Sequence, residues 1–208
     1  MADQDRIETI AALEAIVGVA HPFVRSKIVP RLDPLMIEFI GQSPLVFIST
    51  RDRAGEIDIS PKGDPAGFVQ VDGNGNLLVP ERPGNQLALG FRNIIDNGSI
   101  GLIFVAPNQR ETLRVRGTAT LRKDADVLAA MSVNGKPALL YTHVEVTQAF
   151  IHCGKAMIRS QLWQPESWQP ASRSIGGRQL ATVVGARTED EFRASAQRLD
   201  KRYQDELY

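Results

Sequence analysis

The stretch Thr-Leu-Arg-Val-Arg-Gly-Thr-Ala-Thr-Leu-Arg at residues 112–122 decides the fold class, because apolar and polar side chains alternate along its whole length. In a β-strand, successive side chains point to opposite faces of the sheet. The apolar or small residues of the stretch therefore face a core, and the threonines and arginines between them face water or a polar ligand. The stretch predicts a long strand that is buried on one side only.

Short segments rich in apolar and β-branched residues lie on both sides of this strand and predict further strands. They are residues 45–50, 56–60, 68–71, 76–80, 99–105 and 141–152. The third and fourth are separated by Gly73-Asn74-Gly75, which is typical of a hairpin turn. Six or seven short strands with helices between some of them favour a closed antiparallel barrel with peripheral helices.

Helical spacing of apolar residues occurs at several places outside these strands. The predicted helices cover residues 3–17, 34–41, 87–97, 124–133, 153–163 and 189–206. The second should begin at Asp33 as N-cap with Pro34 following it, and the third should have Asn85 as N-cap. Residues 164–170 resemble an extended strap, and residues 174–187 show no strong periodicity.

Composition excludes several classes of function. The 208 residues carry 24 lysines and arginines against 24 aspartates and glutamates, so no basic excess indicates nucleic-acid binding. The chain starts with polar residues and has no secretory or membrane-spanning apolar run, so we expect a cytoplasmic protein. Cys153 is the only cysteine and fits a reducing compartment. The three histidines lack the spacing of metal ligands, so no metal site is expected.

Two segments with cations indicate an anion site. Arg82-Pro83-Gly84-Asn85-Gln86 leads into the helix predicted at 87–97, and a helix N-terminus exposes unpaired N–H groups that favour an anion. Arg82 adds a fork of donors suited to phosphate, and Lys62 in Ser60-Pro61-Lys62-Gly63 is a second cation. The alternative is an ordinary strand-to-helix turn with solvated cations.

Five segments follow one another in an order that resembles the pyridoxamine 5′-phosphate oxidase-like flavoproteins, and more narrowly a bacterial FMN-binding subgroup of that split-barrel superfamily. They are Ser-Pro-Lys-Gly-Asp-Pro (60–65) with Gly-Phe-Val (67–69), Pro-Glu-Arg-Pro-Gly-Asn (80–85), Asn-Ile-Ile-Asp-Asn (93–97) with Ile-Gly-Leu-Ile-Phe (100–104), Thr-Leu-Arg-Val-Arg-Gly (112–117), and His-Cys-Gly-Lys-Ala (152–156) with Ile-Arg-Ser (158–160). The resemblance covers roughly residues 20–168.

This resemblance implies a six-stranded antiparallel split β-barrel that forms a homodimer, with FMN in clefts between the subunits. It implies that Ser60–Gly63 and Pro80–Gln86 line the flavin and its phosphate, and that Lys155–Trp163 lies near the flavin, from either subunit. The expected cofactor-binding residues are Ser60, Pro61, Lys62, Gly63, Pro80, Arg82, Asn85, Gln86, Thr112, Arg114, Lys155, Arg159 and Trp163. No residue pair is identified as a catalytic acid and base.

Three regions are expected: an N-terminal helix at 1–20, the FMN-binding split-barrel domain at 21–168, and a C-terminal strap with a charged helix at 169–208. Two departures separate the chain from true pyridoxamine phosphate oxidases. Asn85-Gln86 stands where those enzymes have Arg-Lys, and residues 171–208 lack their arginine and histidine one residue apart. The vitamin substrate is therefore not expected.

The expected function is that of an FMN-dependent oxidoreductase acting on an unidentified small molecule. One alternative is a non-enzymatic module that stores or senses a flavin, a deazaflavin or a haem-type ligand on the same scaffold, because function depends on the site and not on the fold. Another is an interaction protein whose cleft holds no cofactor.

Overall fold

The structure, a computed structural model, describes residues 5–84, 86–170 and 175–208 of the chain. Its centre is one sheet of seven antiparallel strands. They are β1 (Leu45–Arg51), β2 (Ile57–Gly63), β3 (Gln70–Val71), β4 (Leu77–Glu81), β5 (Ser99–Val105), β6 (Thr112–Arg122) and β7 (Leu140–His152). The predicted antiparallel fold with peripheral helices is confirmed, but the strands number seven rather than six.

The strands follow one linear order, β2-β1-β5-β6-β7-β4-β3, so β2 and β3 are the edges of the sheet. Within the described ranges the sheet curls into a half-barrel and is not closed by a backbone ladder between its edges. This corrects the expectation of a closed barrel. Side chains must therefore bridge the gap between β2 and the opposite end of the sheet.

Strand β6 follows the alternation read from its sequence except at Thr112, which was expected on the polar face and is buried. Leu113 and Val115 are buried, whereas Arg116 is exposed on the other face. The ladder between β6 and β7 shifts register between Arg116 and Gly117, where Thr147 of β7 is the additional residue. Leu113 and Val115 belong to one hydrophobic core together with Met36 and Ile40 of the helix at 34–42. The other buried members of this core are Val46, Ile48, Val69, Leu77, Val79, Ile94, Ile100, Leu102, Phe104, Ala119, Val144 and Ala149.

Eight α-helices are found in the described residues. They are α1 (Ile10–Val17), α2 (Pro22–Ser26), α3 (Pro34–Gln42), α4 (Leu89–Asp96), α5 (Ala125–Ala130), α6 (Lys155–Arg159), α7 (Ile175–Val183) and α8 (Glu189–Asp205). Asp33 caps α3 as predicted, since its Oδ1 accepts a hydrogen bond from the Met36 N–H at 2.9 Å. In the described ranges, none of these helices is both long and apolar enough to cross a membrane.

Helix α4 begins later than its sequence suggested. Gln86 and Ala88 have φ angles of 61° and 53°, in the left-handed region, so regular helix starts only at Leu89. Ala88 therefore occupies the N-cap position and supplies no side-chain cap. The N-cap predicted at Asn85 is wrong for this helix, and Asn85 itself lies outside the described residues.

The C-terminal part of the chain differs from its prediction in two places. Helix α6 ends at Arg159, and Gln161 has a φ of 52°, so Trp163 does not continue the predicted stripe with Lys155. Residues 175–183 form α7 although their apolar pattern is weak, because this helix packs along α8 and buries Ala181.

Candidate functional site

A cavity of about 490 Å³ lies between β2, the end of β4 and the first turn of α4. Five residues predicted to bind a cofactor line it, namely Ser60, Pro61, Lys62, Arg82 and Gln86. Apolar residues from four parts of the chain form the rest of the wall, chiefly Ile48, Ile59, Leu87, Leu89, Phe91, Ile94 and Leu139. The cavity therefore combines apolar walls with a polar end, as small-molecule sites usually do.

Two ion pairs cross the gap between β2 and β4 at this polar end. Lys62, near the end of β2, places its Nζ 2.6 Å from Oε2 of Glu81, the last residue of β4. Asp64, just after β2, accepts a hydrogen bond at 2.7 Å on its Oδ2 from Nε of Arg82. Each strand end thus supplies one cation and one carboxylate, and the pairs join two strands that are not neighbours in the sheet.

Glu81 is a buried carboxylate that the sequence analysis did not identify. Its side chain is 3% exposed, and its Oε1 accepts a hydrogen bond at 3.0 Å from Thr142 Oγ1. Its Oε2 lies 2.6 Å from the ammonium nitrogen of Lys62, so the two groups form a close, charge-assisted pair. Burial raises the pKa of the Glu81 carboxyl above its ordinary value, although the nearby ammonium group of Lys62 opposes the shift.

Arg82 is held in one orientation by its neighbours. Besides the bond to Asp64, its Nη2 donates to the Met131 carbonyl oxygen at 2.7 Å. The ring of Tyr208 lies 5.9 Å from the guanidinium carbon, and the Tyr208 hydroxyl donates to Asp64 Oδ1 at 2.9 Å, which raises the pKa of that tyrosine. Among the described residues, nothing accepts a hydrogen bond from the buried Nη1 of Arg82.

The cavity carries more negative charge than the sequence indicated, because carboxylates lie beside its predicted cations. Asp58 also lines the cavity, and a methyl group on Gly90 would lie 3.3 Å from its Oδ2, so this carboxylate lies against the first turn of α4. The charged residues of the cavity and their partners thus comprise two cations, Lys62 and Arg82, and three carboxylates. Both cations were predicted from the sequence and the acids were not, although Glu81 and Asp64 each lie within two residues of a predicted cation.

Comparison of the sequence with known protein families shows the family of the chain. The sequence profile described as pyridoxamine 5′-phosphate oxidase matches residues 32–153, which is more than half of the chain. The chain belongs to the pyridoxamine 5′-phosphate oxidase family. The predicted family is thereby confirmed, whereas none of the curated proteins matches the chain.

Solved structures similar to the chain include HupZ from Group A Streptococcus, General Stress Protein 26 from Bacillus anthracis and HutZ, the heme storage protein from Vibrio cholerae. Their sequence identities are 21%, 12% and 13%, and their TM-scores are 0.46, 0.43 and 0.40, respectively. The matches cover 58%, 56% and 59% of this chain and 93%, 90% and 95% of theirs. Values this low carry neither a ligand nor an activity from one protein to another.

Asn85 lies outside the described residues, and the other residues predicted from the family resemblance do not line this cavity. Gly63 and Pro80 belong to β2 and β4 but are not among the lining residues. Thr112 is buried on β6 opposite His152. Arg114 lines a second cavity of about 260 Å³, with its guanidinium carbon 5.3 Å from the centre of the Phe150 ring.

Three of the predicted cofactor-binding residues, Lys155, Arg159 and Trp163, follow β7 in the chain. Lys155 and Arg159 are exposed on α6, and Trp163 donates from its Nε1 to the Gln109 carbonyl oxygen at 2.7 Å. Neither cavity, as the described residues line it, includes these three. In the same parts of the chain, no group of three histidine, cysteine or acidic side chains could hold a metal ion.

Proposed function

We propose that the protein binds FMN in the 490 Å³ cavity and uses it as an oxidoreductase of small molecules. The observation that carries this proposal is convergence: residues of both family segments, Ser60–Lys62 and Arg82–Gln86, line one cavity although about twenty residues separate them. The family resemblance supports a flavin as the occupant. FMN, when bound, supplies the redox chemistry, and the protein supplies binding, orientation and the local electric field.

The cavity suits the two halves of FMN in different ways. Its apolar wall, which includes Ile59 and Phe91, offers a surface for a flat aromatic ring. Its polar end offers the buried Nη1 of Arg82, whose N–H groups lack an acceptor among the described residues. A phosphate oxygen would provide that acceptor, and charge-assisted hydrogen bonds of this kind are among the strong ones.

We further propose that the working form is a homodimer with the cofactor near the interface. The sheet face beside the cavity exposes several large apolar side chains, namely Phe47, Ile57, Ile59 and Ile103. Ile59 lines both cavities, so a second copy seated on this face would reach the edge of the cofactor site. Large exposed apolar patches commonly mark interaction surfaces.

The charge balance supports the same arrangement. A phosphate monoester carries close to two negative charges, whereas the three carboxylates at the cavity offset both of its cations. Further cations are therefore needed to neutralise the phosphate. Lys155 and Arg159 are exposed on α6 and do not line the cavity of the same subunit. The same residues of a second copy are the proposed source.

The decisive experiment is to identify the cofactor and then to perturb one contact. An absorption spectrum and mass measurement of the ligand released from freshly purified protein should identify FMN. In a fluorescence-quenching titration, Arg82→Lys keeps a positive charge beside Asp64 but removes the guanidinium fork, so FMN affinity should fall about tenfold with riboflavin affinity unchanged. Arg92→Lys, on the exposed side of α4, is the matched control.

Each outcome has a defined meaning. A colourless protein that neither quenches added FMN nor gains thermal stability from it would contradict the proposal. FMN that binds tightly but is not reduced by NADH, NADPH or a panel of chemical donors would instead favour a binding or sensing module.

A further inference from the structure

The ion pair of Lys62 and Glu81 joins an accessible cation to a buried carboxylate. The Lys62 side chain is 26% exposed and lines the cavity, with its Nζ 4.7 Å from the centre of the Phe91 ring. The Glu81 side chain is 3% exposed and lies behind it. A ligand that enters the cavity therefore meets the ammonium group while that group is attached to another anion.

Glu81 has few means of compensating for the loss of Lys62. Its other direct partner is the neutral hydroxyl of Thr142. Among the residues that the structure describes, the remaining charged and titratable groups around the polar end of the cavity are Asp58 of β2, Asp64 after β2, Arg82 after β4 and Tyr208 of the C-terminal segment. Arg82 is committed to Asp64, so it does not replace Lys62.

A ligand phosphate near Lys62 would act on Glu81 in two ways. It would draw the ammonium group away from Oε2, and it would add negative charge close to a carboxylate that is already buried. An unpaired buried carboxylate is unfavourable, and nearby negative charge raises its proton affinity. Protonation removes both penalties, because a neutral carboxyl group can still accept the hydrogen bond from Thr142.

We propose that Glu81 is an internal competitor for Lys62, so that a ligand phosphate binds against this carboxylate and Glu81 takes up a proton when it does. The inference rests on the proposed function, since it takes the phosphate of FMN as the competing anion. Glu81 thereby determines how strongly the cavity distinguishes phosphorylated flavins from phosphate-free ones, and it makes this preference dependent on pH.

The test compares Glu81→Gln with the natural protein, using FMN and riboflavin as the two ligands. The variant keeps the shape of the side chain and an acceptor for Thr142 but carries no charge. At mildly alkaline pH, FMN should bind to E81Q about tenfold more tightly than to the natural protein, and riboflavin should change by less than about twofold. The natural protein should gain FMN affinity as the pH falls, more steeply than E81Q.

Proton uptake is measured directly by calorimetry in two buffers of different ionisation enthalpy. The natural protein should take up about one more proton per FMN than E81Q does. The protons that the phosphate itself takes up or releases are common to both measurements and cancel in this comparison. Glu145→Gln, an exposed glutamate on β7 outside both cavities, is the matched control and should behave as the natural protein.

Three results would overturn the inference: E81Q binding FMN no more tightly, riboflavin and FMN changing equally, or the natural protein taking up no additional proton. The last measurement also holds if E81Q fails to fold, since proton uptake by the natural protein on binding FMN can then be compared with its uptake on binding riboflavin, after correction for the titration of the phosphate of free FMN. If FMN binds to no variant, the proposed function fails. Inorganic phosphate then replaces FMN as the probe, and equal affinity for E81Q and the natural protein would overturn the inference separately.

Discussion

Replacing Asp64 by asparagine isolates the contribution of charge to the pair that holds Arg82. The Asp64 side chain is 1% exposed and the Arg82 side chain 12% exposed, so water does little to screen them. Asparagine keeps an oxygen that can accept from Arg82 Nε or from the Tyr208 hydroxyl, which now lie 2.7 and 2.9 Å from the carboxylate. The variant therefore removes the negative charge while it preserves most of the packing.

The expected loss follows from the state in which Arg82 is left. Removing one partner of a buried ion pair typically costs about 3–5 kcal/mol, because the remaining charge stays buried without compensation. Arg82 retains its hydrogen bond to the Met131 carbonyl and a small exposed fraction, so the loss should lie near the lower end, at about 3 kcal/mol. For a chain of this size, each kcal/mol corresponds to roughly 2–4 °C in Tm.

The assay is urea unfolding at neutral pH, followed by fluorescence and by circular dichroism to verify a two-state transition. The double variant Asp64→Asn, Arg82→Met should recover much of the loss, because it removes the uncompensated cation as well. Glu8→Gln is the control for an exposed pair, since Arg6 and Glu8 lie 3.6 Å apart with side chains 70% and 68% exposed. Its effect should stay within about 0.5 kcal/mol.

The reasoning would be refuted if D64N lost less than about 1 kcal/mol of its free energy of unfolding. It would be refuted equally if adding Arg82→Met to D64N recovered none of the stability that was lost. Either result would mean that the pair is screened by water and does not carry the connection between β2 and β4.

Three further predictions follow from burial, packing and exposure. Since burial raises the pKa of Glu81, its contribution to stability is present at acidic pH and is lost as the pH rises through the raised pKa; urea unfolding should show this loss in the natural protein but not in E81Q. Gly117→Ala should lower Tm by at least about 4 °C, because its methyl group would overlap the Glu145 carbonyl oxygen; an unchanged Tm would contradict this contact. Ile103→Glu should convert the proposed dimer to a monomer in light scattering, and a natural protein that is already monomeric would contradict the proposed interface.

The strands could be predicted from the sequence because their burial is regular. In β6 the side chains at 113 and 115 are buried and that of Arg116 is exposed, as alternation requires. The boundaries of β5 and β6 coincide with the sequence prediction as well. Local rules succeed here because each strand packs one face against the same core.

The helix boundaries that failed depend on backbone conformation and distant contacts. Ala88 adopts a left-handed conformation that its side chain does not favour, and this delays the start of α4. Residues 174–187 show no strong periodicity, yet α7 forms and packs along α8, where it buries Gly177 and Ala181. Neither effect has a local sequence pattern.

The acids of the site could not be predicted for a topological reason. Lys62 and Glu81 lie on strands that are separated by four others in the sheet order, so no ladder register brings them together. They meet only because the sheet curls, and curvature is a property of the whole sheet rather than of either segment. Arg82 and Lys62 could be predicted because their side chains suit a phosphate. The sequence could not show that the carboxylates of Asp64 and Glu81 already neutralise these two cations.

The open edge of the half-barrel links the stability of the fold to the binding of a ligand. A sheet that does not close by backbone hydrogen bonds needs another connection between β2 and β4, and the crossed pairs of Lys62 with Glu81 and of Arg82 with Asp64 provide it. The cavity occupies the same gap, so the cations that bridge the strands also line the cavity in which we propose that FMN binds. An anion that binds Lys62 and Arg82 must either take the place of Glu81 and Asp64 in connecting β2 to β4 or weaken that connection. The proposed binding of FMN and the connection between β2 and β4 therefore depend on the same side chains, Lys62 and Arg82.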